Sequence, residues 1–95
     1  MAPYDLRLKP SVAKDLRGIP SGDLGRILSR IEALRDDPRP PGCEKLSGQQ
    51  KYRLRQGSYR ILYRVSDAEL LVEVVKVGHR RDGLPRLVTN RGPRF

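Results

Sequence analysis

Lys51-Tyr52-Arg53-Leu54-Arg55-Gln56-Gly57-Ser58-Tyr59-Arg60-Ile61-Leu62-Tyr63-Arg64-Val65 alternates apolar with cationic side chains on either side of a short polar interruption. Successive side chains of a β-strand point to opposite faces, so Tyr52 and Leu54 share one face while Arg53 and Arg55 share the other. Gln56-Gly57-Ser58 supplies a tight turn, and Tyr59, Ile61, Tyr63 and Val65 then alternate with Arg60, Leu62 and Arg64 in a returning strand. The segment is a hairpin with one face to bury and one cationic face. Ser66-Asp67-Ala68 makes a second turn, and Leu-Leu-Val-Glu-Val-Val-Lys-Val (70–77) follows as a nearly continuous β-branched run ended by Gly78. Such a run reads as a central strand buried on both sides.

Upstream, Tyr4, Leu6 and Leu8 alternate with Asp5, Arg7 and Lys9, the pattern of one more half-buried strand. Pro10 suits the first turn of a helix, and Val12, Ala13 and Leu16 line one side of a short helix ending near Gly18. Pro20, Ser21 and Asp23 open a second helix with an apolar stripe of Leu24, Ile27, Leu28, Ile31 and Leu34. Its end is set by Asp37 before Pro38, because a residue preceding proline is driven out of the helical region. Pro40, Pro41 and Gly42 extend the loop. The order predicts an α+β fold, β-α-α-β-β-β, with two N-terminal helices packed on one face of a mainly antiparallel sheet. The opposite face stays open and carries the hairpin arginines.

A chain of 95 residues with 37% hydrophobic content has room for a single core, so multi-domain readings are excluded, as is wholesale disorder. Residues 1–88 form the expected domain and 89–95 a flexible basic tail, with Leu87 and Val88 docking before it. One cysteine, Cys43, and one histidine exclude a disulfide scaffold and leave too few ligands for zinc, so no metal or cofactor is expected. No apolar run approaches the length of a membrane span, and the expected location is the cytoplasm.

The net charge of +9 is unevenly distributed. Residues 1–48 are nearly balanced, with nine basic and seven acidic groups. Residues 49–64 carry Lys51, Arg53, Arg55, Arg60 and Arg64 without an acid, and residues 76–95 carry six basic groups against Asp82. Segregated positive charge of this kind suits a polyanion. The strand ending at Gly78 delivers His79, Arg80 and Arg81 to the edge of the same surface.

Two motifs, the Tyr52–Tyr63 hairpin and Val77-Gly78-His79-Arg80-Arg81-Asp82, resemble the RelE/ParE superfamily of bacterial toxins, and more closely its RelE branch. The resemblance covers roughly residues 4–86. It implies a toxin of a type II toxin-antitoxin pair, a ribosome-dependent endoribonuclease that cuts mRNA in the A site beside 16S rRNA and is neutralised by a cognate antitoxin. The toxin itself would oligomerise only through that complex. Carried over by position, the family's basic pair before the turn falls on Arg53 and Arg55, its arginine in the returning strand on Arg60, and its late arginine on Arg80 beside His79. Where several members have a base-stacking tyrosine this chain has Arg86, and no tyrosine or phenylalanine lies between Tyr63 and Phe95.

In metal-independent RNA cleavage the 2′-hydroxyl attacks its own phosphodiester, and charge builds on the phosphoryl oxygens. Arg60 and Arg80 suit that charge as planar two-pronged donors. His79 is the only side chain with an ordinary pKa near 7 and is the candidate acid–base group, whereas arginine stays protonated. Lys51, Arg53, Arg55, Arg81 and Arg86 would contact RNA. The structural alternatives are that Arg53 and Arg55 are solvated strand residues, that Arg60 pairs with an acid such as Glu73, and that His79 is structural. Three other functions stay open: a ParE-like gyrase inhibitor, a catalytically inactive module that binds RNA or the ribosome, and an inactive toxin that still binds an antitoxin. The antitoxin expected from this charge is an acidic amphipathic segment that folds on binding.

Overall fold

A computed structural model describes residues 3–46 and 50–79. The elements are β1 (Asp5–Leu8), α1 (Pro10–Arg17), α2 (Ser21–Ala33), β2 (Glu44–Lys45), β3 (Lys51–Gln56), β4 (Tyr59–Ser66) and β5 (Leu71–His79). They form one five-stranded sheet in the order β1-β5-β4-β3-β2, in which β1 runs parallel to β5 and every other pair is antiparallel. The α+β arrangement is the one the alternation requires, with β2 added as a two-residue edge strand. The expected tail at 89–95, with Leu87 and Val88, lies outside the described residues.

Helix α1 starts on Pro10, whose missing N–H is no loss in a first turn, and ends against Gly18. Helix α2 closes earlier than Pro38 alone suggests. Leu34, Arg35 and Asp36 donate to the carbonyls of Ile31, Glu32 and Ala33, so the chain tightens into three-residue turns after Ala33. From the helices Val12, Ile27, Ile31 and Leu34 pack against Tyr52, Leu54, Ile61, Tyr63, Val65, Val72, Val74 and Val77 of the sheet. Leu28 does not join them and is 41% exposed. At about 100° per residue, Leu24, Ile31 and Leu34 all lie within about 60° of Ile27 around the helix axis, whereas Leu28 lies about 100° away, on the flank of the stripe. Leu8, at the end of edge strand β1, is likewise exposed at 39%.

The β3–β4 hairpin closes on Gly57-Ser58 with Gly57 at φ +61°, the glycine-first pattern of a two-residue loop whose twist matches that of the strands. Between β4 and β5 the register shifts by one residue at Leu62/Tyr63. That shift keeps Tyr63 opposite Val74 and Val65 opposite Val72 on the helix side, and puts Arg64 opposite Glu73 on the other.

A polar cluster fastens the proline-rich loop to the far end of the sheet. Arg39 donates from Nε to the Tyr52 hydroxyl at 2.9 Å and from both terminal nitrogens to the Asp67 carboxylate at 3.2 and 2.8 Å. The Tyr4 hydroxyl donates to the same carboxylate at 2.7 Å. The buried Tyr63 hydroxyl donates to the Pro38 carbonyl at 2.7 Å, and the Tyr52 and Tyr63 rings stack at 5.6 Å. All three tyrosines therefore serve packing and anchoring.

Candidate nucleic-acid interface

The sheet face that the helices leave uncovered is built by strand alternation. With Tyr52 and Leu54 committed to the core, β3 presents Lys51, Arg53 and Arg55 on the other side, and β4 adds Arg60, Leu62 and Arg64. Pairing places Arg55 directly opposite Arg60 and Lys51 directly opposite Arg64. Like charges facing each other across an antiparallel pair lower stability. Two such juxtapositions lie on one face, and in the second the Arg64 charge is met by Glu73. Leu62 lies between Arg53 and Lys76 in the register and is 1% exposed, although it is outside the cluster beneath the helices. Long cationic side chains can lay their aliphatic stems along the sheet to give this kind of burial, and here the heads of Arg53 and Lys76 are paired with Glu44 and Asp15.

Acids temper the face at two points. Glu73 accepts from Arg64 Nε at 3.1 Å and Nη2 at 2.9 Å, so the cross-strand partner weighed for Arg60 belongs to Arg64. Glu44, opposite Arg53 in the β2–β3 pair, accepts on Oε1 from Arg53 Nε at 2.9 Å and Nη2 at 2.6 Å. The Arg53 hydrogen bond and charge, followed by the charges of Arg55 and Arg60, hold the Glu44 carboxyl below the usual carboxylate range. Residues 49–64 contain no acid in sequence, yet in space they have Glu44 and Glu73. Glu44 is the functional-face residue that a linear charge count misses. Its only sequence signal is its position just ahead of the cationic strand.

At the hairpin end, Arg55, Gly57, Ser58, Tyr59 and Arg60 line a cleft of about 50 Å³. Arg60 is half-buried, with its Nε inside, and no ion pair among the described residues engages Arg55. The end of β5 reaches the same region, but Gly78 is the residue opposite Arg60. His79 is opposite Tyr59, and the two rings meet edge to face at 5.1 Å and 86°. Because Tyr59 packs against the core cluster, His79 shares the helix side of the sheet, while Arg60 lies on the open side. Lys51, Arg53, Arg55 and Arg60 are thus brought together, and His79 stands near them across the sheet. Arg80, Arg81 and Arg86 lie outside the described residues. No group of three or more histidine, cysteine or acidic side chains among the described residues is arranged to hold a metal ion, and no helix among them is long and apolar enough to cross a membrane.

Residues 6–84 match the family described as the ParE toxin of the type II toxin-antitoxin system parDE. Toxin RelG of Mycobacterium tuberculosis is 33% identical over 84 residues, spanning 84% of this chain and 94% of the relative. The putative toxin RelE1 of Methanocaldococcus jannaschii is 29% identical over 84 residues, spanning 84% of this chain and 92% of that protein. The toxin fold of an archaeal RelE–RelB complex from Pyrococcus horikoshii superposes with a TM-score of 0.76 at 27% identity, covering 82% of this chain and 96% of the other.

Proposed function

Since the chain belongs to the ParE toxin family of type II toxin-antitoxin systems, we propose that it acts as the RelE branch does, as a ribosome-dependent mRNA endoribonuclease that inhibits translation. The observation that carries this reading is the Arg55–Arg60 pair on the uncovered sheet face, with Lys51 and Arg53 beside it. The names of the relatives, RelG and RelE1, support the same branch.

In the proposed reaction the message's own 2′-hydroxyl attacks the adjacent phosphorus and the 5′-oxygen leaves, giving a 2′,3′-cyclic phosphate and a 5′-hydroxyl. Arg60 and Arg80 stabilise the charge gathering on the phosphoryl oxygens. Lys51, Arg53, Arg55, Arg81 and Arg86 hold flanking phosphates and ribosomal RNA, which fixes the register of the strand without reading its sequence. His79 exchanges the proton if the bound message reaches the Tyr59 side of the sheet. The proposed partner in the cell is an acidic antitoxin segment laid over the arginines, and the toxin–antitoxin complexes among the structural neighbours support an antitoxin as partner.

The test is inducible expression of the wild type and of the double variant Arg60→Ala/Arg80→Ala in a bacterium, with 5′-end mapping of a translated message. Growth arrest with new cuts in phase with codons, both lost in the double variant, is the expected result. The description of the matched family as ParE favours one other reading, a gyrase-directed toxin. Arrest without codon-phased cuts would shift the weight to that reading.

A further inference from the structure

Glu44 pairs with Arg53 at the edge of the cationic face. Its Oε1 takes two Arg53 donors, Nε at 2.9 Å and Nη2 at 2.6 Å, along the side-on edge of the guanidinium that can equally grip a phosphate oxygen. The carboxylate belongs to a two-residue strand at the sheet edge, and its side chain is 54% exposed, so it can be displaced without opening the core. Arg53 beneath it is only 22% exposed and depends on this carboxylate for its ion pair. The same negative charge lies within the field of Arg55 and Arg60. The second acid on this face, Glu73, differs because its side chain is 13% exposed and fixed to Arg64 in mid-sheet.

We infer that Glu44 is a specificity-determining residue of the cationic face: an internal carboxylate that any RNA phosphate must displace from Arg53. The inference rests on the nuclease reading and deepens it. A single-stranded RNA that offers one phosphate to Arg53 exchanges one ion pair for another and gains little. An RNA surface that offers several phosphates at once also engages Arg55, Arg60 and Lys51, and so outweighs the exchange. The face therefore discriminates against loose RNA in favour of a strand presented within a larger, rigid RNA assembly.

The experiment measures binding of a fluorescent single-stranded RNA 12-mer by anisotropy at about 0.1 M salt, where charges more than about 10 Å apart are screened from each other. It uses the purified full chain as wild type, Glu44→Gln, Glu44→Ala and Glu32→Gln. Glutamine keeps an acceptor for Arg53 and removes the charge, while alanine removes both. Glu32 pairs with Arg35 at 2.8 Å at the end of α2, so its replacement makes the same change in net charge away from the cationic face. The expected result is tightening by about fivefold to tenfold in both Glu44 variants, the scale of one charge-assisted contact in partial solvent, and by less than twofold in Glu32→Gln. Equal affinity of wild type and Glu44→Gln, or equal tightening in the Glu32 control, overturns the inference and leaves the nuclease reading standing. Absence of RNA binding in all four proteins overturns the inference, while the nuclease reading is decided separately by the cleavage mapping above.

Discussion

Arg39, in the proline-rich loop, and Arg55, on β3, are both exposed arginines at the same sheet, and they occupy opposite kinds of environment. Around Arg39 each guanidinium nitrogen has an acceptor, with Tyr52 on one side and the Asp67 carboxylate gripped by both terminal nitrogens on the other. Around Arg55 the nearest cross-strand neighbour is Arg60, another cation. The first arrangement lowers the free energy of the folded chain and holds the proline-rich loop onto the sheet. The second sets two cations against each other across the hairpin, a juxtaposition that works against the fold. Stability and binding are thus separated by some strand length within one small domain.

That separation can be broken from either side. Arg60→Ala should lower RNA cleavage by about 10²–10³-fold, the scale for removing one preorganised donor from developing phosphoryl charge, while the melting temperature stays level or rises. Arg39→Met should do the reverse. It deprives Tyr52 and Asp67 of their shared donor and should cost about 1 kcal/mol, kept low by solvent around both charges, or about 4–8 °C in melting temperature for a domain of this size. RNA binding by Arg39→Met should equal that of the wild type. Parallel cleavage and melting assays check both, and a variant that loses activity and stability together would show that the two regions are not independent.

The same contrast marks what the sequence could reveal. Alternation across residues 51–65 is a local property, so the hairpin, its buried tyrosines and its cationic face follow from reading the chain. The β-branched run at 70–77 likewise identifies β5 as the strand with neighbours on both sides, β1 and β4. Pairing partners are not local. Nothing in Asp5–Leu8 states that it will run parallel to β5, and two residues are too few for Glu44–Lys45 to show any period. The acid partners were illegible for the same reason. Glu73 meets Arg64 through the register shift at Leu62/Tyr63, and Glu44 meets Arg53 only after the chain reverses between β2 and β3. His79 follows Gly78 in sequence toward the arginines, but alternation turns it to Tyr59.

Acid sharpens the comparison on the Arg39 side. The hydrogen bonds from Arg39 and then Tyr4 hold the Asp67 carboxyl below the usual carboxylate range. A carboxyl whose folded pKa is depressed contributes stability that is fully present above its unfolded value, about 3.9, and is lost as pH falls through the folded value. The gap in melting temperature between wild type and Asp67→Asn should therefore be widest near neutral pH and close below about pH 4. A gap that persists at acid pH would mean that the cluster is held by shape and neutral hydrogen bonds, without need of the charge.

The smallest effect probes the opposed pair itself. Removing one of two like charges that face each other across a hairpin relieves a repulsion, so Arg55→Gln should raise the melting temperature by about 1–4 °C at low salt. Because the repulsion acts through solvent near the surface, the gain should vanish toward 1 M salt, where the screening length is about 3 Å. RNA binding should weaken in the same variant and lose about one unit of salt dependence for the one phosphate contact removed. Opposite signs in melting and binding are what the proposed RNA face predicts, since on that reading the charge that harms the free fold is the charge the ligand uses. A lower melting temperature for Arg55→Gln would make Arg55 a structural contact and leave Arg60, Arg53 and Lys51 to bind alone.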